Sequence, residues 1–336
     1  MLDLSVIVCT RNRAGRLRAM LESACALAVP PDLAWELLVV DNGSGDDTAA
    51  VAAAFAGRLP LRLVREPVAG LCPARNRGVG EARGRHICWT DDDVLLDPAW
   101  LGAYAEAFRR HPEAAIFGGR ILPELEPPAP AWFARSTQAW PVANLVAYRD
   151  MGDEESRIAL AGGNIPWGAN FAVRGDEQRR YLYNVELGFS PHHMRTGEEC
   201  DVVYRIVTAG GTGWWVPDAI VRHVIPAERQ TRAYILHYFD QAGRTAAFLH
   251  DRFPGDNANA VFGPPAFARM SPSMLRAASA AARFISAAAL ACGMAGLGLR
   301  FLARRGFYRG VAAHRRECAA SAAPPPMILN EAGKAC

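Results

Sequence analysis

The chain has 336 residues, 51% of them apolar, with 37 Lys and Arg against 34 Asp and Glu and a formal net charge of +3. That length allows one large domain or two smaller ones with a substantial core. So small a net charge excludes a dedicated nucleic-acid binder, which carries a strongly basic face.

The first 120 residues alternate strand and helix patterns. The apolar runs at 4–9, 35–40, 61–64, 86–90 and 114–119 have the length of buried strands. Helical patterns fall between them at 14–28, 45–57, 74–83 and 98–110, the last opened by Asp97 and Pro98 as cap and first-turn residue. Strands separated by helices predict a mostly parallel α/β sheet, Rossmann-like, with helices on both faces. Residues 120–165 lose the pattern at Pro123, Pro127, Pro128 and Pro130 and read as an irregular insertion. Order returns with a strand at 167–173, a helix at 198–210 and one or two strands over 213–224.

The remainder, 226–318, reads as an alanine-rich helical extension broken near 251–266, and 319–336, with its proline triplet, as a disordered tail. Residues 284–299 carry no charge and are flanked by arginines. At sixteen residues the stretch is short of the roughly 20 that span a bilayer. It is either a buried helix or a helix on a membrane surface, with 284–309 as the contact. None of the eight cysteines forms a CxxC pair, and the N-terminal MLDLSVIVCT has no basic region before an apolar one. Both features predict a protein of the reducing cytoplasm, peripheral to the inner membrane where it meets lipid.

Ligands of such sheets bind at the carboxyl ends of the strands. Polar clusters follow three of the runs: Thr10-Arg11-Asn12-Arg13, Asp41-Asn42-Gly43-Ser44 and Asp91-Asp92-Asp93. Turn residues explain the second cluster well. Three consecutive aspartates repel one another and call for a nearby cation. If the strand reaches Asp93, alternation puts Asp91 and Asp93 on one face and Asp92 on the other. Paired hard oxygen ligands suit Mg2+ or Mn2+; a solvated turn is the alternative.

The run ARNRGVGEARGRHICWTDDDV (74–94) resembles the signature of family 2 glycosyltransferases, whose nucleotide-sugar fold is GT-A. LSVIVCTRNR, WELLVVDNGSGDDT and TGEECDVVYRIVTAGGTGWWVPDAIVRH resemble further segments of that family in the right order, so the likeness covers about residues 3–225. The resemblance implies a GT-A domain over 1–225. It implies nucleotide contacts from Thr10, Arg11, Asp41, Gly70, Arg75, Asn76, Asp91 and Asp92. It also implies a metal on Asp93 and His223 with Asp91 beside it, and an acceptor strand presenting Trp167 and Asn170.

Transfer with inversion needs a carboxylate to take the acceptor proton and a cation to stabilise the leaving diphosphate. Gly197-Glu198-Glu199-Cys200-Asp201 supplies carboxylates at a helix start, where the dipole favours the ionised form. The family has Asp where this chain has Glu199, which is read as the base, with Glu198 second. The implied partners are a nucleotide-sugar donor, a UDP-sugar by the family resemblance, and a glycan or lipid-linked acceptor. A sugar nucleotidyltransferase would want a glycine-rich first loop with an essential lysine, whereas the single lysine is Lys334. A non-catalytic carbohydrate-binding protein of the same fold is the other alternative.

Overall fold

The computed structural model describes residues 2–160, 165–252 and 265–322. The chain divides into two compact units between Tyr234 and Ile235. In the first unit the strands are β1 (Leu2–Thr10), β2 (Trp35–Asp41), β3 (Leu61–Arg65), β4 (Gly84–Asp91), β5 (Val94–Leu96), β6 (Ile116–Leu125), β7 (Ser156–Arg157), β8 (Asn170–Arg174) and β9 (Gly213–Ile225). Its helices are α1 (Ala14–Ala24), α2 (Thr48–Phe55), α3 (Leu71–Glu81), α4 (Trp100–Arg110), α5 (Ala131–Ala134), α6 (Val142–Leu145), α7 (Gly175–Arg180) and α8 (Glu198–Thr208).

The strands form one sheet in the order β3-β2-β1-β4-β8-β6-β9-β5, with β7 beside β9. The block β3-β2-β1-β4 is parallel, and β6 and β9 are parallel to each other. β8 enters between β4 and β6 antiparallel to both, so β6 and β9 run the same way as the first four strands. Alternation along the strands builds two cores. Leu4, Val6 and Val8 of β1 pack with Leu17 and Met20 of α1 and with Trp100 and Tyr104 of α4. Ile7, Ile87 and Trp89 face the other way, with Cys72 and Val79 of α3 and Val202 and Ile206 of α8.

The structure departs from the sequence reading in the middle of the chain. The strand expected over 114–119 continues through Pro123 to Leu125, because β9 runs beside it through Leu125–Ile225. Two four-residue helices and the two-residue β7 are the further regular elements in the segment read as irregular, most of which is turn and coil among the described residues. The short β5 had no periodic signal, being three residues long; β9 holds it through Val94–His223.

Asn170, expected at the acceptor, is instead a core tie. It is fully buried. Its Oδ1 accepts from Trp100 Nε1 and Tyr104 Oη, both at 2.8 Å. Its Nδ2 donates to the carbonyls of Arg120 (2.9 Å) and Ala219 (2.7 Å). One amide thereby joins α4, β6, β8 and β9, and nothing is left over for a sugar.

The second unit contains most of α9 (Arg232–Arg252), then α10 (Pro272–Ala291) and α11 (Ala295–Ala322). Ser271 caps α10 by accepting from Met274 N at 3.2 Å, with Pro272 in the first turn. Gly306 and Gly310 on α11 lie against the α9 backbone at Leu236 and Asp240, an approach that a Cβ would block. The uncharged run 284–299 is not one helix. α10 ends at Ala291, Gly293 turns the chain at φ +74°, and α11 begins at Ala295. The break expected at 251–266 lies mostly outside the described residues. So does the tail, except that 319–322 form the end of α11.

Replacing Asn170 by Ala should destabilise the first unit by about 2–4 kcal/mol, since it strands several buried groups. Urea unfolding of the full chain measures the loss; a change confined to acceptor affinity would restore the acceptor role.

Candidate active site

Parallel pairing aligns the strand ends. Thr10 stands opposite Asp41, and Cys9 opposite Asp91. The three polar clusters thus share one edge of the sheet.

The acidic triplet does not follow strand alternation. β4 ends at Asp91, and Asp92 and Asp93 make the turn into β5. The two turn residues are buried, while the Asp91 side chain is 37% exposed. The Asp92 carboxylate accepts from Thr10 Oγ1 (2.7 Å) and from Arg13. Asp93 Oδ2 accepts from Arg13 Nη2 at 2.7 Å, and Arg229 Nη1 lies 3.9 Å away. His223 Nε2 approaches Asp93 Oδ1 to 3.6 Å. Burial pushes the Asp92 carboxyl up to about 7, against the opposing pull of Arg13. Burial acts on Asp93 in the same sense, but His223 and Arg13 overcome it and hold this carboxyl far below the usual range. His223 is itself raised: burial disfavours its charge, and Asp93 more than compensates.

The donor set fits a hard divalent ion in part. With Nδ1–H donated to the Val146 carbonyl at 3.0 Å, His223 presents Nε2 towards Asp93, the second-shell arrangement of a ligating imidazole. Asp93 and His223 could therefore hold Mg2+ or Mn2+, once His223 is neutral and Arg13 yields an oxygen. Asp91 does not close on the same point. Among the described residues the one group of three such ligands within 4.8 Å is Asp251, His314 and Cys318, in the second unit.

On the nucleotide side, Asp41 is buried and its Oδ1 accepts from Ser44 N at 2.8 Å. Its Oδ2 has no hydrogen-bond partner, although Arg65 Nε comes within 3.8 Å. An unsatisfied buried carboxylate oxygen is costly alone and is suited to an incoming N–H. Arg11 is exposed beside it. Asn42 shapes the wall, donating to the carbonyls of Glu66 (3.0 Å) and Val68 (2.7 Å) and accepting from Gly70 N at 2.7 Å. Gly70, at φ +142°, precedes α3 in a conformation that other residues rarely adopt. Asn76 does not line the pocket with its amide, which is spent on both backbone groups of Tyr183 at 2.8 and 2.9 Å.

Arg75 does more than line a pocket. It is buried against Tyr183, with Nη1 3.0 Å from Glu198 Oε1 and Nη2 3.6 Å from Asp91 Oδ1. It therefore joins the triplet to the acidic start of α8. Gly197, at φ +91°, turns the chain into that helix. Glu198 is buried, and burial beside Glu199 raises its carboxyl despite Arg75. Glu199 is partly exposed, and its Oε1 accepts only weakly from Gly168 N at 3.3 Å. Trp167, the neighbour of Gly168, is also partly exposed, with Arg149 5.6 Å from its ring.

Arg13 and Arg229 were the ion partners least visible in the sequence. Arg13 stood in the first polar cluster as one of many arginines; Arg229 had no local signal at all.

Residues 5–158 match the family model for glycosyl transferase family 2. The chain is 26% identical over 269 residues to the succinoglycan biosynthesis protein ExoM of Rhizobium meliloti, covering 77% of this chain and 78% of that one. Further curated relatives align over 28–42% of this chain, which spans 12–46% of their lengths. A mannosyltransferase from Pyrobaculum calidifontis, solved with GDP-Man and Mn2+, superposes with a TM-score of 0.60 at 20% identity, over 94% of this chain and 86% of its own. TarS 1–349 of S. aureus, solved with UDP, gives 0.52 at 16% identity, over 95% and 92%. The sheet edge, the family match and the shared fold agree: the chain has the GT-A fold, and over residues 5–158, a little under half of its length, it is similar to glycosyl transferase family 2.

Proposed function

We propose that the protein transfers a sugar, with inversion and with the help of a divalent metal, from a nucleoside-diphosphate donor to a glycan or lipid-linked acceptor. The observation that carries this reading is Arg75, which links Asp91 at the donor side to the Glu198–Glu199 corner within one buried contact network. UDP is the donor nucleotide in this proposal, from the family resemblance and the UDP bound by TarS. Assembly of a surface polysaccharide is the setting, supported by the relative named for succinoglycan biosynthesis. The cytoplasmic face of a membrane is the proposed location.

In this reading Asp41 Oδ2 accepts from a base N–H, and the anomeric carbon lies between the triplet and Glu199. A bond from the acceptor oxygen to that carbon forms as the bond to the diphosphate breaks. Glu199 takes the acceptor proton, because Glu198 is already committed to Arg75. Mg2+ or Mn2+ on Asp93 and His223 would supply positive charge for the leaving diphosphate.

Glu199→Gln should lower kcat about 10²–10⁴-fold with the donor KM little changed, the signature of a lost general base. Steady-state assays with saturating acceptor provide the test; a wild-type rate would remove Glu199 from the mechanism.

Glu198→Gln should keep kcat within about tenfold of wild type, well short of a general-base loss. It should also flatten the pH dependence of stability. The folded Glu198 carboxyl titrates above the unfolded one, so the native state retains a proton that the unfolded state releases as pH rises from the normal carboxylate range. Stability therefore falls with rising pH across that window. Melting curves of both proteins at several pH values measure it, and identical slopes would contradict the assignment.

Nucleotide sugars should raise the melting temperature more with Mn2+ than without, and His223→Ala should abolish the metal-dependent increment. No stabilisation by any nucleotide sugar would favour the non-catalytic carbohydrate-binding alternative.

A further inference from the structure

The second unit contains a cleft of about 400 Å³ lined by Arg244, Arg276, Arg283, Arg305, Arg309 and Arg316. Three helices contribute: α9 gives Arg244, α10 gives Arg276 and Arg283 two turns apart, and α11 gives the other three along one face. Asp240 is the single acidic residue in the lining, and it already accepts from Arg244 (3.1 Å) and Arg309 (3.3 Å). Arg244 also pairs with Glu317 at 2.6 Å. Among the described residues Arg276, Arg283, Arg305 and Arg316 have no acidic partner. Arg305 is shifted downward by burial and by the charges of Arg283 and Arg309, so the cations repel one another across the cleft. Such crowding is stable beside an anion, and guanidinium forks match phosphate oxygens.

The apolar end of the same hairpin shows what carries that anion. Phe284 is 76% exposed, Met294 50%, Leu297 42% and Ile285 40%. All of residues 291–296 at the turn are exposed. α10 has the length and hydropathy of a membrane span, yet only 22% of its apolar window is buried. Arg276 and Arg283 on that helix argue against a crossing and for shallow insertion. Cys292 lies nine positions past Arg283, and on the other arm the exposed Arg300 lies six positions past Met294, with Arg305 eleven past it. At ~1.5 Å rise per residue the charge-free tip extends about 13 Å beyond Arg283 on the α10 arm and about 9 Å beyond Arg300 on the α11 arm. That depth suits shallow insertion into one leaflet, short of the ~15 Å half-thickness of the hydrocarbon core.

We propose that the α10–α11 hairpin enters one leaflet of an anionic membrane tip first, and that the arginine cleft binds the phosphate group of a membrane lipid. The tip supplies apolar burial and the cleft supplies headgroup recognition. The inference goes beyond the transfer reaction and does not depend on its chemistry.

The test is co-sedimentation of the full chain with vesicles of phosphatidylcholine alone and of phosphatidylcholine with phosphatidylglycerol. The expected result is retention on the anionic vesicles, weakening with salt, and little on the neutral ones. Arg283→Gln with Arg305→Gln should reduce retention about tenfold or more. Phe284→Ser with Met294→Ser should reduce it comparably. Melting curves and nucleotide-sugar stabilisation should stay as in the wild type, which separates loss of lipid binding from misfolding and from failure of the transferase reading. If the Gln pair fails to fold, Arg283→Lys with Arg305→Lys should keep the salt-sensitive attraction and lose part of the affinity. Equal retention on both vesicles, or retention unchanged by the Gln pair, would overturn the proposal. Stabilisation by inorganic pyrophosphate without vesicle binding would do so too, by assigning the cleft to a free phosphate.

Discussion

Five carboxylates, Asp91, Asp92, Asp93, Glu198 and Glu199, crowd the carboxyl edge of the sheet, and two arginines make the crowding tolerable. Arg13 bridges Asp92 and Asp93; Arg75 bridges Glu198 and Asp91. Removing a partner from a buried pair leaves an uncompensated charge, which is why such networks resist change more than their net contribution to stability suggests. The positive charge that the triplet calls for is therefore built into the protein before any metal is considered. A divalent ion would compete with Arg13 for Asp93, so donor binding and rearrangement of that arginine are linked in the proposed reaction.

The same network sorts the two glutamates. Glu198 is buried and held by Arg75, whereas Glu199 keeps a partly exposed carboxylate against the Gly168 backbone. A proton acceptor must reach its substrate, and a group tied into a buried pair does not. In the proposed mechanism these adjacent glutamates take different roles because of burial and the Arg75 pair.

The hairpin of the second unit follows a related logic with the sign reversed. Arginines crowd a cleft with one acidic residue, and the imbalance is the feature that points to an anion. The arginines, of which Arg283 and Arg300 lie nearest the apolar turn, and the exposed Phe284 and Met294 form one amphipathic element. Neither feature alone favours a lipid over a soluble phosphate; in the proposal, their occurrence on one hairpin does.

Local pattern sufficed for β1 to β4, for α1 to α4 and for the polar clusters after the strands, because period-2 and period-3.6 burial is recorded in nearest neighbours. The family resemblance paired Asp93 with His223, and the helical pattern from 198 placed the glutamates at a helix start. Partners far apart in the chain were decided by the tertiary structure. Arg13 meets Asp92 and Asp93 across about eighty residues, Arg75 meets Glu198 across 123, and Asn170 is consumed by α4, β6 and β9. Sequence determined which chemical groups the edge would carry, since strand ends and turns are local. Only the sheet order, with β8 between β4 and β6, decided which groups are buried, paired or left accessible, since burial depends on which strands become neighbours.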